Sequence, residues 1–202
     1  MDTPRLGSGF YDVPPGKLAT VVTHLDMHSP APARPCPAPD GGTLVRMPAV
    51  DPHWYRDLFT RVGGHDWLWF SRLKMADEEL MAILRHPKVE VRALMLNGQA
   101  QGLLELDFRT EQTCELAFLG VTSALIGTGA GRFLMNAAIR HAWAQPIGRL
   151  HVHTCTLDHP GALGFYIRSG FVPVRQQIEI ADDPRLNGGL PDSAGPHVPM
   201  FT

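Results

Sequence analysis

The sequence predicts an α/β (α+β) fold, in which a mixed, mostly antiparallel central sheet is flanked by helices and joined by an N-terminal strand appendage. One observation is a meander of three strands, whose first turn is Asn97-Gly98. The other is the series that follows it: a glycine-rich turn, a long amphipathic helix and a further strand. Together the last meander strand, the turn, the helix and the next strand form a crossover unit, which places one parallel pair in the sheet.

Composition limits the classes of protein that need consideration. The 202 residues, 44% hydrophobic and 19% charged, suit one main core and exclude wholesale disorder, collagen and coiled coil. A formal charge of −2 argues against a dedicated nucleic-acid binder. No apolar run approaches the roughly 20 residues of a membrane helix, and residues 1–16 lack the pattern of a signal peptide. We therefore expect a cytoplasmic protein with no nucleic-acid or membrane partner.

The N-terminal segment, residues 1–42, is predicted to be a strand appendage followed by a linker. Lys17–Met27 reads as a strand. Five prolines then fall within residues 30–39, a composition that prevents a helix or a central strand and indicates an exposed linker. The extra strand could cover a sheet edge within the chain or exchange with a partner, which leaves a homodimer open.

The main domain, residues 43–181, is predicted to begin with a strand at 43–47 and two helices. Asp51-Pro52 supplies an N-cap and a first-turn proline for a helix over 52–62, which ends at Gly63-Gly64. A second helix over 76–86 has acidic residues in its first turn and stops before Pro87.

The meander strands are predicted at 89–96, 100–108 and 114–121. A helix over 127–144 and a strand over 149–156 follow. A short helix over 160–169 ends at Gly170 as a left-handed cap, and the chain returns as a strand over 171–180. Residues 182–202, rich in proline and glycine, are predicted to be an irregular tail.

The glycines of the turn, Gly127, Gly129 and Gly131, are suited to binding an anion, although such clusters also simply cap or pack a helix. Without side chains they let backbone N–H groups approach a phosphate or diphosphate at a helix N-terminus. A P-loop requires Lys-Ser/Thr after the last glycine, where this chain has Arg132-Phe133. Arg132 also occupies the third glycine position of the Rossmann pattern, so both nucleotide-binding motifs are disfavoured.

Two motifs resemble the GCN5-related N-acetyltransferase (GNAT) superfamily. The turn Ile126-Gly-Thr-Gly-Ala-Gly131, with Arg132 behind it, is similar to the family's Gln/Arg-x-x-Gly-x-Gly/Ala diphosphate turn. The segment from His159 through Tyr166 to Phe171 resembles its Asn-x-x-Ala-x-x-x-Tyr-x-x-x-Gly-Phe motif. The resemblance covers roughly residues 43–180. The chain departs from the family at Ile126, where Gln or Arg is common, and at His159, where Asn is common.

The resemblance implies a GNAT acyltransferase domain with acetyl-CoA (coenzyme A) as co-substrate. In the family, the strand before the turn splays from the next strand, and its main chain pairs with the pantetheine arm. The matching positions here are Leu119 and Val121, whose side chains are expected in the core. His159 would contact the arm or simply cap its helix. The implied cofactor-binding residues are Leu119, Val121, Ile126, Gly127, Thr128, Gly129, Ala130, Gly131, Arg132 and His159.

The resemblance also gives Tyr166 a role, that of the acid that protonates the departing CoA sulfur; the alternative is a tyrosine packed at the core edge. An alkylamine acceptor of pKa about 10.4 is neutral in about one molecule in 2,500 at pH 7, equivalent to about 4.6 kcal/mol, so a base would help. Glu115 is the first candidate base and Glu105 the second, with a water relay allowed. Each could equally be a solvated strand carboxylate, but clustered carboxylates would attract a cationic amine.

The sequence does not indicate a metal or a disulfide framework. The chain has three cysteines, an odd number, and they are widely spaced: Cys36, Cys114 and Cys155. His151 and His153 alternate on one strand but have no evident third ligand, so we expect no metal.

The leading hypothesis is an acetyl-CoA-dependent N-acetyltransferase, in which a small-molecule or peptide amine attacks the thioester directly. The alternative is a noncatalytic acyl-CoA-binding or regulatory module with the same fold. A third reading is an interaction protein without a CoA site.

Overall fold

The structure, a computed structural model, describes residues 6–202. The first five residues of the predicted segment 1–42 lie outside the described residues. A seven-stranded sheet of order β2-β3-β4-β5-β6-β1-β7 is flanked by helices on both faces. Neighbouring strands are antiparallel except β5 and β6, which are parallel. This arrangement confirms the predicted fold class. The strands are β1 Lys17–Met27, β2 Gly42–Arg46, β3 Val89–Leu96, β4 Gln99–Asp107, β5 Thr113–Val121, β6 Arg149–Cys155 and β7 Val172–Asp182.

The helices are α1 Pro52–Phe59, α2 His65–Trp67, α3 Asp77–Leu84, α4 Ala130–Trp143 and α5 Ala162–Arg168. Asp51 caps α1 by accepting a hydrogen bond from the Trp54 amide at 2.9 Å. After Phe59 the helix widens into a π turn, Thr60–Gly64, before α2 begins. The first predicted helix therefore ends near the expected position, but with a wider last turn.

The β3–β4 hairpin forms as its turn residues predict. Asn97 and Gly98 have φ angles of 49° and 79°, the positive values that a two-residue primed turn requires. Along β4 the side chains alternate between two cores. Leu104 and Leu106 pack with α4 and α5 on one face, and Leu103 packs with α1 and α3 on the other.

β1 is an interior strand of the sheet, and β7 forms the edge. Val22 lies opposite Cys155 of β6 on one side and opposite Gln177 of β7 on the other. Within this chain the extra strand therefore does not cover an edge but bridges two strands that come much later in the sequence.

The proline-rich segment that links β1 to β2 is largely exposed but tied to α4. The side-chain amide of Asn136 donates to the Arg34 carbonyl at 2.6 Å, and the Cys36 thiol donates to the Gly129 carbonyl at 3.3 Å. This route carries the linker past the N-terminal end of α4.

The C-terminal tail is irregular but held in place by a buried arginine. Arg185 pairs with Asp183 and also donates to the carbonyl of Val198 at 2.9 Å. Leu190 of the tail packs with Leu68 and other buried apolar residues beside α2. The tail thereby supports the chain between α2 and α3. Across residues 6–202, no helix combines the length and apolar character needed to cross a membrane.

Candidate active site

The main cleft of the molecule opens between β5 and β6. These strands pair over three residues only, the last pair being Glu115 and His151. Beyond that point the space between them is a cleft of about 820 Å³, closed at the sides by α4, α5 and the segment after α2. A register shift opposite Glu105 and Leu106 leaves Ala117 unpaired, so β5 carries a bulge where the strands part.

The second half of β5 forms one wall of the cleft. Leu119 and Val121 line it, while their side chains also pack against the apolar residues of α4. Gly120 lies between them. A Cβ at this position would lie 2.5 Å from Cγ1 of Val62 and 3.0 Å from Trp69, so the site has room only for glycine. Within residues 6–202, no strand pairs with β5 along this edge toward β6, so the main-chain groups there can bind an extended ligand.

The glycine-rich turn closes one end of the cleft. Gly127 and Gly129 have φ angles of 81° and 95°, which favour glycine. The N-cap residue Gly129 has no side chain, and the Ala130 N–H donates to the Thr128 hydroxyl at 3.4 Å. The N–H groups of Gly131 and Arg132 have no acceptor within residues 6–202. A Cβ on Gly131 would have no neighbour within 4 Å. The turn therefore presents unpaired amides and open space, which fits a diphosphate.

The structure separates the predicted turn residues into two groups. Ile126, Gly127, Gly129, Gly131 and Arg132 line the cleft. Thr128 and Ala130 do not: the Thr128 hydroxyl donates to the Leu125 carbonyl at 2.8 Å, and Ala130 is buried in the core. These two residues shape the turn from behind.

Three arginines lie at the same end of the cleft: Arg34, Arg132 and Arg168. Arg132 donates to the Ser169 hydroxyl at 2.8 Å and lies over the Phe165 ring. Partial burial lowers the pKa of the Arg132 guanidinium, and the nearby cations Arg34 and Arg168 lower it further. None of the three forms an ion pair with a carboxylate in the part of the chain described. This end of the cleft is thus a cationic site suited to a polyanion.

Tyr166 lies in the wall contributed by α5. Tyr166 is largely buried between the rings of Phe165 and Phe171, and it is one of the residues that line the cleft. Burial, followed by the charge of Asp158, raises the pKa of the Tyr166 phenol well above its ordinary value. The hydroxyl therefore keeps its proton at neutral pH, as a proton donor must before the reaction.

Glu115 reaches the cleft only through a neighbouring histidine. Its Oε1 lies 3.5 Å from Nδ1 of His153, and it borders a separate polar recess of about 240 Å³ rather than the cleft. His153 does line the cleft. The contact with Glu115, against the effect of burial, raises the pKa of His153, and the same contact lowers the pKa of Glu115.

Glu105 does not fit the role of a base, which corrects our second expectation. It is fully buried, pairs with Arg72 and accepts a hydrogen bond from Tyr55. Burial raises the pKa of the Tyr55 phenol well above its ordinary value, and the charge of Glu105 raises it further, so the phenol remains a neutral donor. Alternation does send Glu105 to the α1 face, but there its carboxylate is enclosed by partners and has no path to the cleft.

The segment from Trp67 to Phe70 also lines the cleft, as do Asp158 and Glu179. Asp158 accepts from Trp69 Nε1 at 2.8 Å and from the Thr154 hydroxyl at 2.6 Å, joining this segment to β6. His159 Nδ1 accepts from the Gly161 amide at 2.9 Å, so this nitrogen caps the turn before α5. Among residues 6–202, no three His, Cys, Asp or Glu side chains are placed to hold a metal ion.

Comparison with known families identifies this architecture. Residues 52–171, more than half of the chain, match the model of the acetyltransferase (GNAT) family. The chain belongs to the GNAT family. The matched region runs from the start of α1 to the residue before β7 and so contains the glycine turn, both walls of the cleft and Tyr166.

Solved GNAT proteins share the fold at low sequence identity. A GCN5-related N-acetyltransferase from Sphaerobacter thermophilus superposes with a TM-score of 0.59 at 15% identity, over 84% of this chain and 53% of that chain. A tandem GNAT protein from the clavulanic acid biosynthesis pathway superposes with a TM-score of 0.56 at 16% identity, over 86% of this chain and 55% of that chain.

A curated relative of the GNAT chain is the mycothiol acetyltransferase of Jonesia denitrificans. The two are 35% identical over 82 residues, which is 41% of this chain and 26% of the relative. The chain thus matches about a quarter of that relative's length and about half of the two solved chains.

Several residues of this GNAT cleft were not predicted from the sequence. The sequence does not predict His153 as a base, and it does not indicate Arg34, Asp158 or Glu179 as cleft residues. Arg34 lies in a segment whose composition indicates an exposed linker, so local pattern gave no signal. Asp158 and Glu179 belong to elements that the sheet order brings together across β1, which is a tertiary effect.

Proposed function

We propose that the chain is an acetyl-CoA-dependent N-acetyltransferase that transfers an acetyl group to a primary amine. The observation that carries this proposal is the cleft itself, which opens where β5 and β6 part and has uncapped amides at one end and Tyr166 in its wall. The matched family supports acyl transfer, and the name of the mycothiol acetyltransferase relative supports acetyl as the acyl group.

In this proposal the residues of one end hold the co-substrate. The amides of Gly131 and Arg132 bind the diphosphate, assisted by the positive end of the α4 dipole. The free main-chain groups of β5 near Leu119 and Val121 pair with the pantetheine arm. Bound acetyl-CoA supplies a thioester whose carbonyl carbon the amine attacks directly, with the CoA thiolate leaving.

Tyr166 donates its proton to the departing thiolate. A thiol of ordinary pKa about 8.5 is already a tolerable leaving group at neutral pH, so the acid accelerates the step without being indispensable. Because the pKa of Tyr166 is raised further above that of the thiol, complete proton transfer to the thiolate is uphill, and the phenol acts first as a hydrogen-bond donor to the charge that develops on the sulfur.

His153, supported by Glu115, accepts the proton of the acceptor amine. Neutral imidazole is a base of suitable strength near neutral pH, and the adjacent carboxylate stabilises the imidazolium that forms. Glu115 acts in this arrangement as the partner of His153 rather than by direct contact with the acceptor. A water relay between the amine and His153 is compatible with the open cleft.

The acceptor is a cation before it is deprotonated, and the charges of the cleft are arranged accordingly. Asp158 and Glu179 line the cleft, and Asp158 accepts a hydrogen bond from the indole of Trp69. Carboxylates and indole rings both favour an ammonium group. These residues thus support a cationic amine as the acceptor, and the three arginines support an anionic co-substrate.

The functional test is a screen of primary amines, polyamines and peptide N-termini with acetyl-CoA, monitoring release of free thiol. We expect thiol release that depends on at least one amine and formation of the corresponding amide, identified by mass. Tight CoA binding with no turnover across the screen would favour the noncatalytic module instead. Absence of CoA binding would contradict both functions.

Replacing Tyr166 by Phe is expected to lower kcat by about 10- to 100-fold, because the acid is lost while the ring and its packing remain. The KM for acetyl-CoA should change by less than about threefold. Steady-state kinetics measure both values, and Tyr11→Phe, an exposed tyrosine outside the cleft, is the matched control. A Tyr166→Phe enzyme with unchanged kcat would remove Tyr166 from the mechanism.

The pH dependence of kcat/KM tests the His153–Glu115 pair. The base must be neutral, so activity should fall as the pH decreases through the pKa of His153, which the pair raises above its ordinary value. Glu115→Gln removes the carboxylate, so the pH of half-maximal kcat/KM should move downward. Glu111→Gln, on the exposed turn before β5, should leave the profile unchanged. An upward shift or an unchanged midpoint in Glu115→Gln would contradict the assignment.

A further inference from the structure

The linker between β1 and β2 takes part in the cleft, although its composition predicts an exposed connection. Arg34 and Pro35 line the same end as Gly129 and Gly131. Two contacts hold the linker there: Asn136 donates to the Arg34 carbonyl, and Cys36 donates to the Gly129 carbonyl. The second contact attaches the linker to the residue that precedes α4.

Arg34 completes a cluster of three guanidinium groups from separate elements. Its Nη1 donates to the carbonyl of Arg168 at 3.3 Å, so the two arginines are neighbours. Arg132, on the first turn of α4, is close enough to both for their charges to affect its pKa. Each guanidinium has five N–H donors, and the hydrogen bonds described occupy few of them.

The cluster has more charge and more donors than a diphosphate on the glycine turn requires. The amides of Gly131 and Arg132 already provide donors for that group. Coenzyme A carries one other phosphate, a monoester on the 3′ oxygen of its ribose, which has close to two negative charges at neutral pH and three acceptor oxygens. Guanidinium groups match such an oxygen array better than any other side chain.

We infer that Arg34, Arg132 and Arg168 bind the 3′-phosphate of coenzyme A, and that the linker arginine makes the enzyme select CoA over its 3′-dephospho form. The inference rests on the proposed function, since it presupposes that CoA occupies the cleft. It makes the proline-rich linker a functional part of the co-substrate site. Its prolines restrict the backbone, which lowers the entropy lost when Arg34 is held in place.

The test is a calorimetric titration of the full chain with CoA and with 3′-dephospho-CoA. Wild-type protein should bind CoA at least about tenfold more tightly, the loss expected when charge-assisted hydrogen bonds to one phosphate are removed. Arg34→Ala should weaken CoA binding by about tenfold and leave 3′-dephospho-CoA binding within about threefold. Arg34→Lys should restore part of the preference because it returns the charge without the guanidinium geometry.

The matched control is Arg175→Ala, which removes an exposed arginine of β7 outside the cleft and should change neither affinity. Equal weakening of both ligands by Arg34→Ala would assign the cluster to the diphosphate and overturn the inference. Equal affinity of wild-type protein for the two ligands would overturn it as well, while leaving the proposed function intact. If wild-type protein binds neither ligand, the proposed function fails together with the inference.

Discussion

Glu105→Ala is expected to lower the free energy of unfolding by about 3–5 kcal/mol, the largest stability effect that we predict. The substitution leaves the Arg72 guanidinium in a buried site without its counter-ion and removes the acceptor of the Tyr55 hydroxyl. Burial lowers the pKa of the Arg72 guanidinium, but the charges and hydrogen bonds of Glu105 and Tyr55 together raise it above its usual range, so Arg72 stays charged. Chemical denaturation with urea, followed by circular dichroism, measures the change.

A double variant separates the loss of the ion pair from the loss of volume. Glu105→Leu combined with Arg72→Met replaces the buried charges by apolar side chains, which often costs little or even stabilises. We expect the double variant to recover part of the stability that Glu105→Ala loses, because the buried Tyr55 hydroxyl still lacks its acceptor. A loss below about 1 kcal/mol in Glu105→Ala would show that Arg72 finds water or another partner, and would contradict the structural role given to Glu105.

Gly131→Leu is expected to weaken CoA binding by at least about 100-fold without destabilising the protein. The new side chain would project from the first turn of α4, where a Cβ has no neighbour within 4 Å, into the space proposed for the diphosphate. Leucine is also a better helix former than glycine, by up to about 1 kcal/mol. The variant should therefore lose the ligand while its melting temperature stays equal or rises.

The control for this variant lies on the same helix. Arg140→Leu places a leucine on the exposed C-terminal part of α4, outside the cleft, and should leave CoA affinity within about twofold. Calorimetry measures the affinity and differential scanning fluorimetry the melting temperature. Unchanged CoA binding in Gly131→Leu would show that the diphosphate does not lie against this turn, whatever the activity of the variant.

The sequence predicts correctly those turns and helix ends whose conformation depends on a few neighbouring residues. Asn97-Gly98 dictates a primed turn because both residues accept positive φ, and the hairpin forms as expected. Asp51-Pro52 determines the start of α1 because the aspartate caps the helix and the proline favours its first turn. The glycine turn before α4 is predicted to suit an anion, and the amides of Gly131 and Arg132 there have no acceptor within residues 6–202; that they bind a diphosphate stays a prediction.

Features that depend on distant parts of the chain were not predictable in this way. The position of β1 between β6 and β7 depends on strand pairing across more than 100 residues. Hydrophobic periodicity and β-propensity do not carry information about such distant partners. The role of Glu105 changed for a similar reason. Alternation along β4 places Glu105 on the face opposite Leu104 and Leu106, but only the fold shows that Arg72 and Tyr55 enclose its carboxylate there.

The same limit applies to the end of the cleft that carries the three arginines. A proline-rich composition correctly excludes regular structure, yet it does not reveal that the segment passes the first turn of α4 and delivers Arg34 there. The positions of His153 and Glu179 depend equally on tertiary placement, since these residues come from strands separated by β1. The site is therefore assembled by the sheet order more than by the two family motifs.

The central claim is that the cleft between β5 and β6 holds coenzyme A, with its diphosphate on the first turn of α4 and its thiol end toward Tyr166. A crystal structure of the protein grown with CoA tests this most directly. The account predicts density for the diphosphate within hydrogen-bonding distance of the Gly131 and Arg132 amides, and for the pantetheine arm along β5. Coenzyme bound elsewhere on the surface, with this cleft filled by protein side chains, would contradict it.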